Sequence, residues 1–248
     1  MEVEYARDGD VALIHLNRPE RLNAVTVGLT SGLVDALERA IAEGVRVVVL
    51  AGRGRAFCAG HDLKEPEPVE TPVETRERLE EIQDVTRLVR RFPGPVVAAV
   101  HGYALGAGCE FALCCDVVVA AEDAQFGFPE VGVGLSVTGG ISKLLPQLVG
   151  WAKAKELLLL GDRVTGAEAE RLGLVARAVP AGEHESTALE LAHRLAERPA
   201  LALSLAKQVL DHGLDATLEG AMLREVDHAI LTSLSGENDA PKEAFNRG

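Results

Sequence analysis

The chain has 248 residues, 47% of them hydrophobic but only 4% aromatic, and a formal net charge of −13. That length allows one large domain or two modest ones, with a core that must be built from Val, Leu, Ala and Ile. The acidic balance excludes a duplex nucleic-acid binder, which needs a basic surface, and no apolar run is long enough to span a bilayer.

The first residues, Met1-Glu-Val-Glu-Tyr-Ala-Arg-Asp-Gly-Asp10, carry no apolar signal region, so a cytoplasmic location is expected. Val11-Ala-Leu-Ile-His-Leu16 reads as a strand, and Asn17 to Ala24 as a polar loop. Thr26 is placed to cap a helix running to about Ala42, with Leu29, Leu33, Leu37 and Ile41 on one face. Val45-Arg-Val-Val-Val-Leu50 reads as a strand buried on both faces, which favours a parallel sheet covered by helices. Ala51 to Gly60 is a glycine-punctuated turn, and the Pro- and Glu-rich stretch Glu65 to Pro72 is expected to be a mobile loop. A helix over about 74–91 ends at Pro93-Gly-Pro95.

Val96-Val-Ala-Ala-Val100 is a second buried strand, followed by a short helix over about 106–114 and the strand Val117-Val-Val-Ala-Ala121. From Trp151 onward the spacing turns helical, over about 152–160, 165–172, 186–197, 201–212 and 216–234, with Gly173 suited to a helix end. Composition alone thus divides the chain into an α/β portion over 1–150 and a helical portion over 151–248. The strand–turn–strand–helix unit recurs in the first portion. Cys114 and Cys115 adjoin in an apolar stretch, and with Cys58 and Cys109 they match neither a disulfide framework nor a zinc ligand spacing. No metal site is expected.

Two glutamates carry the chemical signal. Glu110 ends His101-Gly-Tyr-Ala-Leu-Gly-Ala-Gly-Cys-Glu110, and Glu130 ends Ala124-Gln-Phe-Gly-Phe-Pro-Glu130. A glycine run that opens a helix leaves backbone N–H groups free to hold an anion. Two carboxylates beside such a hole can move protons on a substrate whose oxygen becomes negative. Taken singly, Glu110 is explained as a first-turn acid complementing a helix dipole, and Glu130 as a solvated loop acid. The glycine spacing at Gly102, Gly106 and Gly108 is not that of a dinucleotide fold, and neither a Walker loop nor a Gly-x-Ser-x-Gly elbow is present.

Taken together and in order, Leu16-Asn-Arg-Pro-Glu-Arg-Leu-Asn-Ala24, Gly54 to Lys64, Gly102 to Glu110, Cys115-Asp116, Ala124 to Glu130 and Thr165 to Val175 make the chain resemble the enoyl-CoA hydratase/isomerase (crotonase) superfamily over nearly its whole length. The resemblance implies an α/β fold: a crotonase-like spiral of ββα units over 1–190 with a C-terminal helical trimerisation region over 191–248. It also implies a homotrimer or a dimer of trimers. The implied substrate is an acyl-CoA thioester, and the coenzyme A is part of that substrate, with no separate cofactor. The N–H groups of His61 and Ala107 match the family's oxyanion hole, and Glu110 and Glu130 match its two catalytic carboxylates. Coenzyme A is expected along Arg21, Leu22 and Ala24 and along Ala59, Asp62, Leu63 and Lys64. Tyr103, Gly106, Pro129 and Thr138 complete the expected substrate contacts.

The implied reaction is hydration of a 2-enoyl-CoA, with Glu110 as base on the water and Glu130 supplying the proton to Cα. Double-bond isomerisation on Glu130 alone, another acyl-CoA reaction, and non-catalytic acyl-CoA binding are the alternatives. The chain departs from the family's hydratases after Glu130, where Val137 and Thr138 interrupt a Pro-Gly-x-Gly-Gly turn. It departs again in the Pro-rich loop after Lys64 and in the ending Glu243 to Gly248, which lacks a basic, Pro-containing tail.

Overall fold

The computed structural model describes residues 1–64 and 69–237. The ending 243–248 and the first four residues of the loop expected over 65–72 lie outside that range. Among the described residues the strands are β1 (Val3–Asp8), β2 (Val11–Leu16), β3 (Val47–Gly52), β4 (Val96–Val100), β5 (Tyr103–Leu105), β6 (Val117–Ala121), β7 (Gln125–Gly127), β8 (Val164–Thr165) and β9 (Arg177–Val179). The helices are α1 (Val27–Ala42), α2 (Pro72–Arg91), α3 (Ala107–Leu113), α4 (Ile141–Val149), α5 (Trp151–Leu160), α6 (Gly166–Leu172), α7 (His184–Ala196), α8 (Ala200–Gly213) and α9 (Leu218–Leu234).

Six strands form one sheet in the order β1-β2-β3-β4-β6-β9, and β5-β7-β8 form a second. In the larger sheet β1 is antiparallel to β2, and all other neighbours run parallel. Every residue of β3 and β4 is buried, as two-sided helical cover of a parallel sheet requires. On one face Ile14, Val48, Leu50 and Ala98 meet Leu29, Leu33 and Leu37 of α1 and Val85 of α2. On the other, Val47, Val49, Val97 and Ala99 meet Ala188, Ala192 and Ala196, one small residue per turn of α7. Small residues let α7 lie close to the sheet. Each fully buried Val or Leu contributes about 1.5–3 kcal/mol.

Local chemistry fixes the helix starts. The Thr26 hydroxyl accepts the Leu29 N–H at 3.0 Å. At α2, Thr71 and Glu74 form a reciprocal capping box, so the helix begins at Pro72, ahead of the expected 74. Ile41 is exposed, against expectation, because the buried stripe of α1 passes from Leu37 to Ala40. The strand read at 45–50 is displaced to 47–52 because the register with β2 starts at the Val11–Val47 pair.

The helical region read from 151 onward is tied into the sheet. Between its helices β9 joins the larger sheet beside β6, and α7 runs across residue 190 while packed on that sheet. α8 is held by Lys207, a buried ammonium that donates to Val89 O (2.7 Å), Gly94 O (3.1 Å) and Asp116 Oδ2 (2.8 Å). α9 has no buried residue, and Leu218, Leu223, Val226 and Ile230 lie exposed along it. No described helix is long and apolar enough to cross a membrane.

Candidate active site

The site grows from the place where the glycine-punctuated turn meets the run before Glu110. Cys58 pairs with Ala104 in a parallel bridge, with Cys58 N donating to Tyr103 O and Leu105 N to Cys58 O. Beyond that bridge Gly60 packs against Leu105 and Gly106, the residues just ahead of Ala107. Two glycines allow the approach. A Cβ on Gly60 would sit 2.6 Å from Leu105 O, and one on Gly108 would sit 2.2 Å from Cys58 O. On its other side the 60–62 segment bonds to Val25, through Val25 N to Gly60 O and Asp62 N to Val25 O. The N–H of His61 therefore faces away from Val25. Ala107 is the first residue of α3, where helix N–H groups have no partner within the helix. The His61 side chain is exposed.

Glu110 projects from the first turn of α3 and is 1% exposed. Its Oε1 accepts the Thr138 N–H at 2.7 Å and its Oε2 accepts the Thr138 hydroxyl at 2.6 Å. Burial raises its protonation range above that of an ordinary carboxylate, and the two Thr138 bonds oppose the rise. Glu130 opens a 3-10 turn (Glu130–Val133) just after β7 and is 7% exposed. Its Oε2 is buried with no hydrogen-bond partner. Burial raises Glu130 as well, and the negative charge of Glu110 adds to the rise. The two carboxylates thus act on each other within one partly dry space.

The expected coenzyme segment is braced from within, and two of the bracing residues, Arg18 and Asn23, are not among those the sequence singles out. Asp62 is buried, and its oxygens accept from Arg18, from Arg21 and from the Lys64 N–H. Burial opposes its charge, but those donors outweigh it and hold its carboxyl below the usual range. Its carboxylate is thus engaged by the protein itself and supports the loop from inside. Asn23 is fully buried and stitches the 18–24 loop to the 53–57 turn, accepting Arg18 N and donating to Arg53 O, Ala56 O and Phe57 O. Leu22 and Asn23 both take left-handed backbone, a conformation Asn tolerates and Leu adopts under strain. Leu22 O accepts Ala59 N, so the strained turn is locked against the segment it faces. The one available signal was an Asn where a tight turn had to fit.

The other expected contacts surround this centre. Ala24 is buried, Arg21 and Ala59 are half-buried, and Leu63 and Lys64 are exposed beside them. Tyr103 is exposed on β5 under the Arg163 guanidinium, 5.5 Å from the ring centre. Gly106 caps α3 with φ 53°, and Pro129 precedes Glu130 on the surface. Two open surface clefts, of about 320 and 350 Å³, lie along α2 and between α5 and α6, and neither is lined by a glutamate of the pair. Among the described residues no cluster of His, Cys, Asp and Glu is arranged to hold a metal.

The sequence profile of the enoyl-CoA hydratase/isomerase family matches residues 6–245. A 2,3-dehydroadipyl-CoA hydratase of Escherichia coli (strain K12) is 37% identical over 242 residues, covering 96% of this chain and 92% of that protein. A short-chain-enoyl-CoA hydratase of Clostridium acetobutylicum is 35% identical over 225 residues, covering 88% and 84%. The crystal structure of an enoyl-CoA hydratase from Bacillus anthracis superposes with a TM-score of 0.93 at 32% identity, covering 100% of this chain and 96% of that one.

Proposed function

The chain belongs to the enoyl-CoA hydratase/isomerase family, and from that membership we propose that it adds water across the double bond of a 2-enoyl-CoA thioester. The observation that carries the reading is the convergence of two buried glutamates on the start of α3, Glu110 from its first turn and Glu130 against Gly106, with the Cys58–Ala104 bridge joining the segments that carry His61 and Ala107. The thioester oxygen sits between the N–H groups of His61 and Ala107. As water adds to Cβ, negative charge grows on that oxygen. Donors already in place stabilise it, each typically worth about 3 kcal/mol. Glu110, ionised, takes one proton from the water as its oxygen bonds to Cβ. Glu130, protonated, gives one proton to Cα. One proton then passes from Glu110 to Glu130, or exchanges with solvent, to restore the pair.

Arg21, Lys64 and the segment 59–64 take the coenzyme, whose phosphates need cations even on an acidic protein. No separate cofactor enters this reading. The reading carries with it a homotrimer, or a dimer of such trimers, and the exposed apolar side chains of α9, which a second copy would cover, support it. Light scattering on the purified chain tests that assembly, and a monomer at micromolar concentration would refute it.

A second reading, isomerisation of a 3-enoyl-CoA, is favoured by one observation. Glu130 alone keeps a carboxylate oxygen free of protein donors, and shuttling a proton between two carbons needs one such group. An absorbance assay separates the two. With crotonyl-CoA and longer 2-enoyl-CoAs, a hydratase removes the conjugated thioester signal, and Glu110→Gln and Glu130→Gln each lower kcat by about a hundredfold or more. Turnover of a 3-enoyl-CoA that survives Glu110→Gln, with no hydration by the wild type, would establish the isomerase instead.

A further inference from the structure

We propose that Thr138 sets the division of labour between the two glutamates, holding Glu110 as the ionised base and leaving Glu130 as the group that stores the proton. The inference rests on the hydratase reading for its catalytic meaning, but its physical content is independent of turnover. Two carboxylates in one poorly solvated space do not both stay ionised cheaply, and the one with more donors keeps its charge. Glu110 has two donors from a single residue, a backbone N–H on one oxygen and a hydroxyl on the other. Glu130 has its own backbone N–H as a donor and a buried Oε2 with none.

The clamp is itself held. Thr138 O accepts Ile141 N at 3.0 Å, and the next residue, Gly139, has its carbonyl bonded by the Thr86 hydroxyl of α2 at 3.0 Å. Gly139 and Gly140 both take left-handed backbone, and a Cβ at 139 would sit 2.9 Å from Glu110 Cβ. The turn can thus press against Glu110 while aiming Thr138 at its carboxylate. The ionisable groups acting here are Glu130 and the Cys109 thiol, which burial keeps neutral. The group reaching the turn from α2 is the neutral Thr86 hydroxyl. Among the described residues no cation is paired with either glutamate, so the Thr138 bonds are what opposes burial at Glu110, the more buried of the two.

Thr138 is therefore a positioning residue acting through Glu110, and Thr138→Val, Thr138→Ser and Thr138→Ala test it. Infrared spectra of protein carrying ¹³C-carboxyl glutamate, recorded against pH with Glu110→Gln and Glu130→Gln as assignments, follow each carboxyl without any substrate. In the wild type Glu130 should take up its proton at higher pH than Glu110. In Thr138→Val the Glu110 uptake should move up toward that of Glu130, and Thr138→Ser should restore the wild-type order. In the hydration assay Thr138→Val should lower kcat about tenfold, the weight of one hydrogen bond to a charged group, with KM little changed and the acidic limb of the pH profile moved upward. A folded Thr138→Val protein whose glutamates titrate as in the wild type would overturn the proposal. If the wild type fails to hydrate any enoyl-CoA, the reaction assigned above falls, while the spectra still decide the role of Thr138.

Discussion

Glu130 leans over Gly106: its Oε1 lies 2.7 Å from where a Cβ on that glycine would stand. Gly106 is also left-handed, with φ 53° and ψ −127°, so the position excludes a side chain twice over, by contact and by backbone. The glycine that starts α3 thereby fixes where the second carboxylate can rest.

Gly106→Ala should push Glu130 away from the α3 N-terminus. We expect hydration to fall at least about a hundredfold, as for loss of a general acid, and stability to drop by about 1–3 kcal/mol from the forced backbone. Thermal denaturation and the hydration assay on the same sample check both. Near-wild-type turnover would show that Glu130 is not held by this contact.

Both glutamates should cost the fold stability where they are ionised. Each has its protonation range raised in the folded protein. Between the unfolded and the folded range the native state then binds more protons than the unfolded one. Their contribution is therefore most favourable below the unfolded carboxylate range and is lost as pH rises through the folded range. Glu110→Gln and Glu130→Gln should raise the thermal midpoint at neutral pH, and the gain should vanish near pH 4, about where an unfolded glutamate titrates. A midpoint that falls equally at both pH values would contradict the assignment.

Asp62 should matter to catalysis without touching the reacting atoms. Asp62→Ala leaves Arg18, whose side chain is 12% exposed, without its partner in the loop. Truncating one member of a buried pair costs about 3–5 kcal/mol, less here because Arg18 keeps Glu2 at 3.2 Å. The expected outcome is a lower thermal midpoint and a rise in KM for the acyl-CoA as the 59–64 segment loosens. Unchanged KM in a folded variant would separate Asp62 from that segment.

Lys207→Met should destabilise the chain by up to about 3 kcal/mol at neutral pH, because the Asp116 carboxylate, its side chain 16% exposed, is left charged without its cation. Burial already raises Asp116 even with Lys207 beside it. The deficit should therefore shrink as pH falls and Asp116 takes up a proton. Chemical denaturation at pH 7 and pH 4.5 would show it; a pH-independent loss would mean that packing, not charge, explains the effect.

What the sequence made legible follows from where each signal lives. β3, β4 and β6 are continuous apolar runs, so burial on two faces is written into them, while β2 carries His15 among its apolar residues. β5, β7 and β9 are three residues each, Tyr103-Ala-Leu105, Gln125-Phe-Gly127 and Arg177-Ala-Val179, and exist because a neighbour pairs with them. α4 was hidden by an internal Pro146 and by the glycines on either side of it. Glu110 and Glu130 stood out through their glycine settings. The Thr138 clamp did not, since it joins residues 28 apart, and the salt bridges of Asp62 reach back 44 and 41 positions to Arg18 and Arg21. Such partners are properties of the folded register.

The ammonium of Lys207 also bears on the order in which the chain assembles. Its three acceptors come from the end of α2, the turn into β4 and the residue ahead of β6, between 91 and 118 positions upstream. None of them converges until those segments have docked, so α8 has nothing to grip early in folding. Substitutions at 207 should then leave the refolding rate nearly unchanged and quicken unfolding, as expected of contacts absent from the transition state. Stopped-flow chevrons of Lys207→Met would reveal the asymmetry; a refolding arm slowed as much as the unfolding arm is quickened would put the clasp earlier. Read this way, Lys207 is a latch that closes late and governs how long the folded chain lasts.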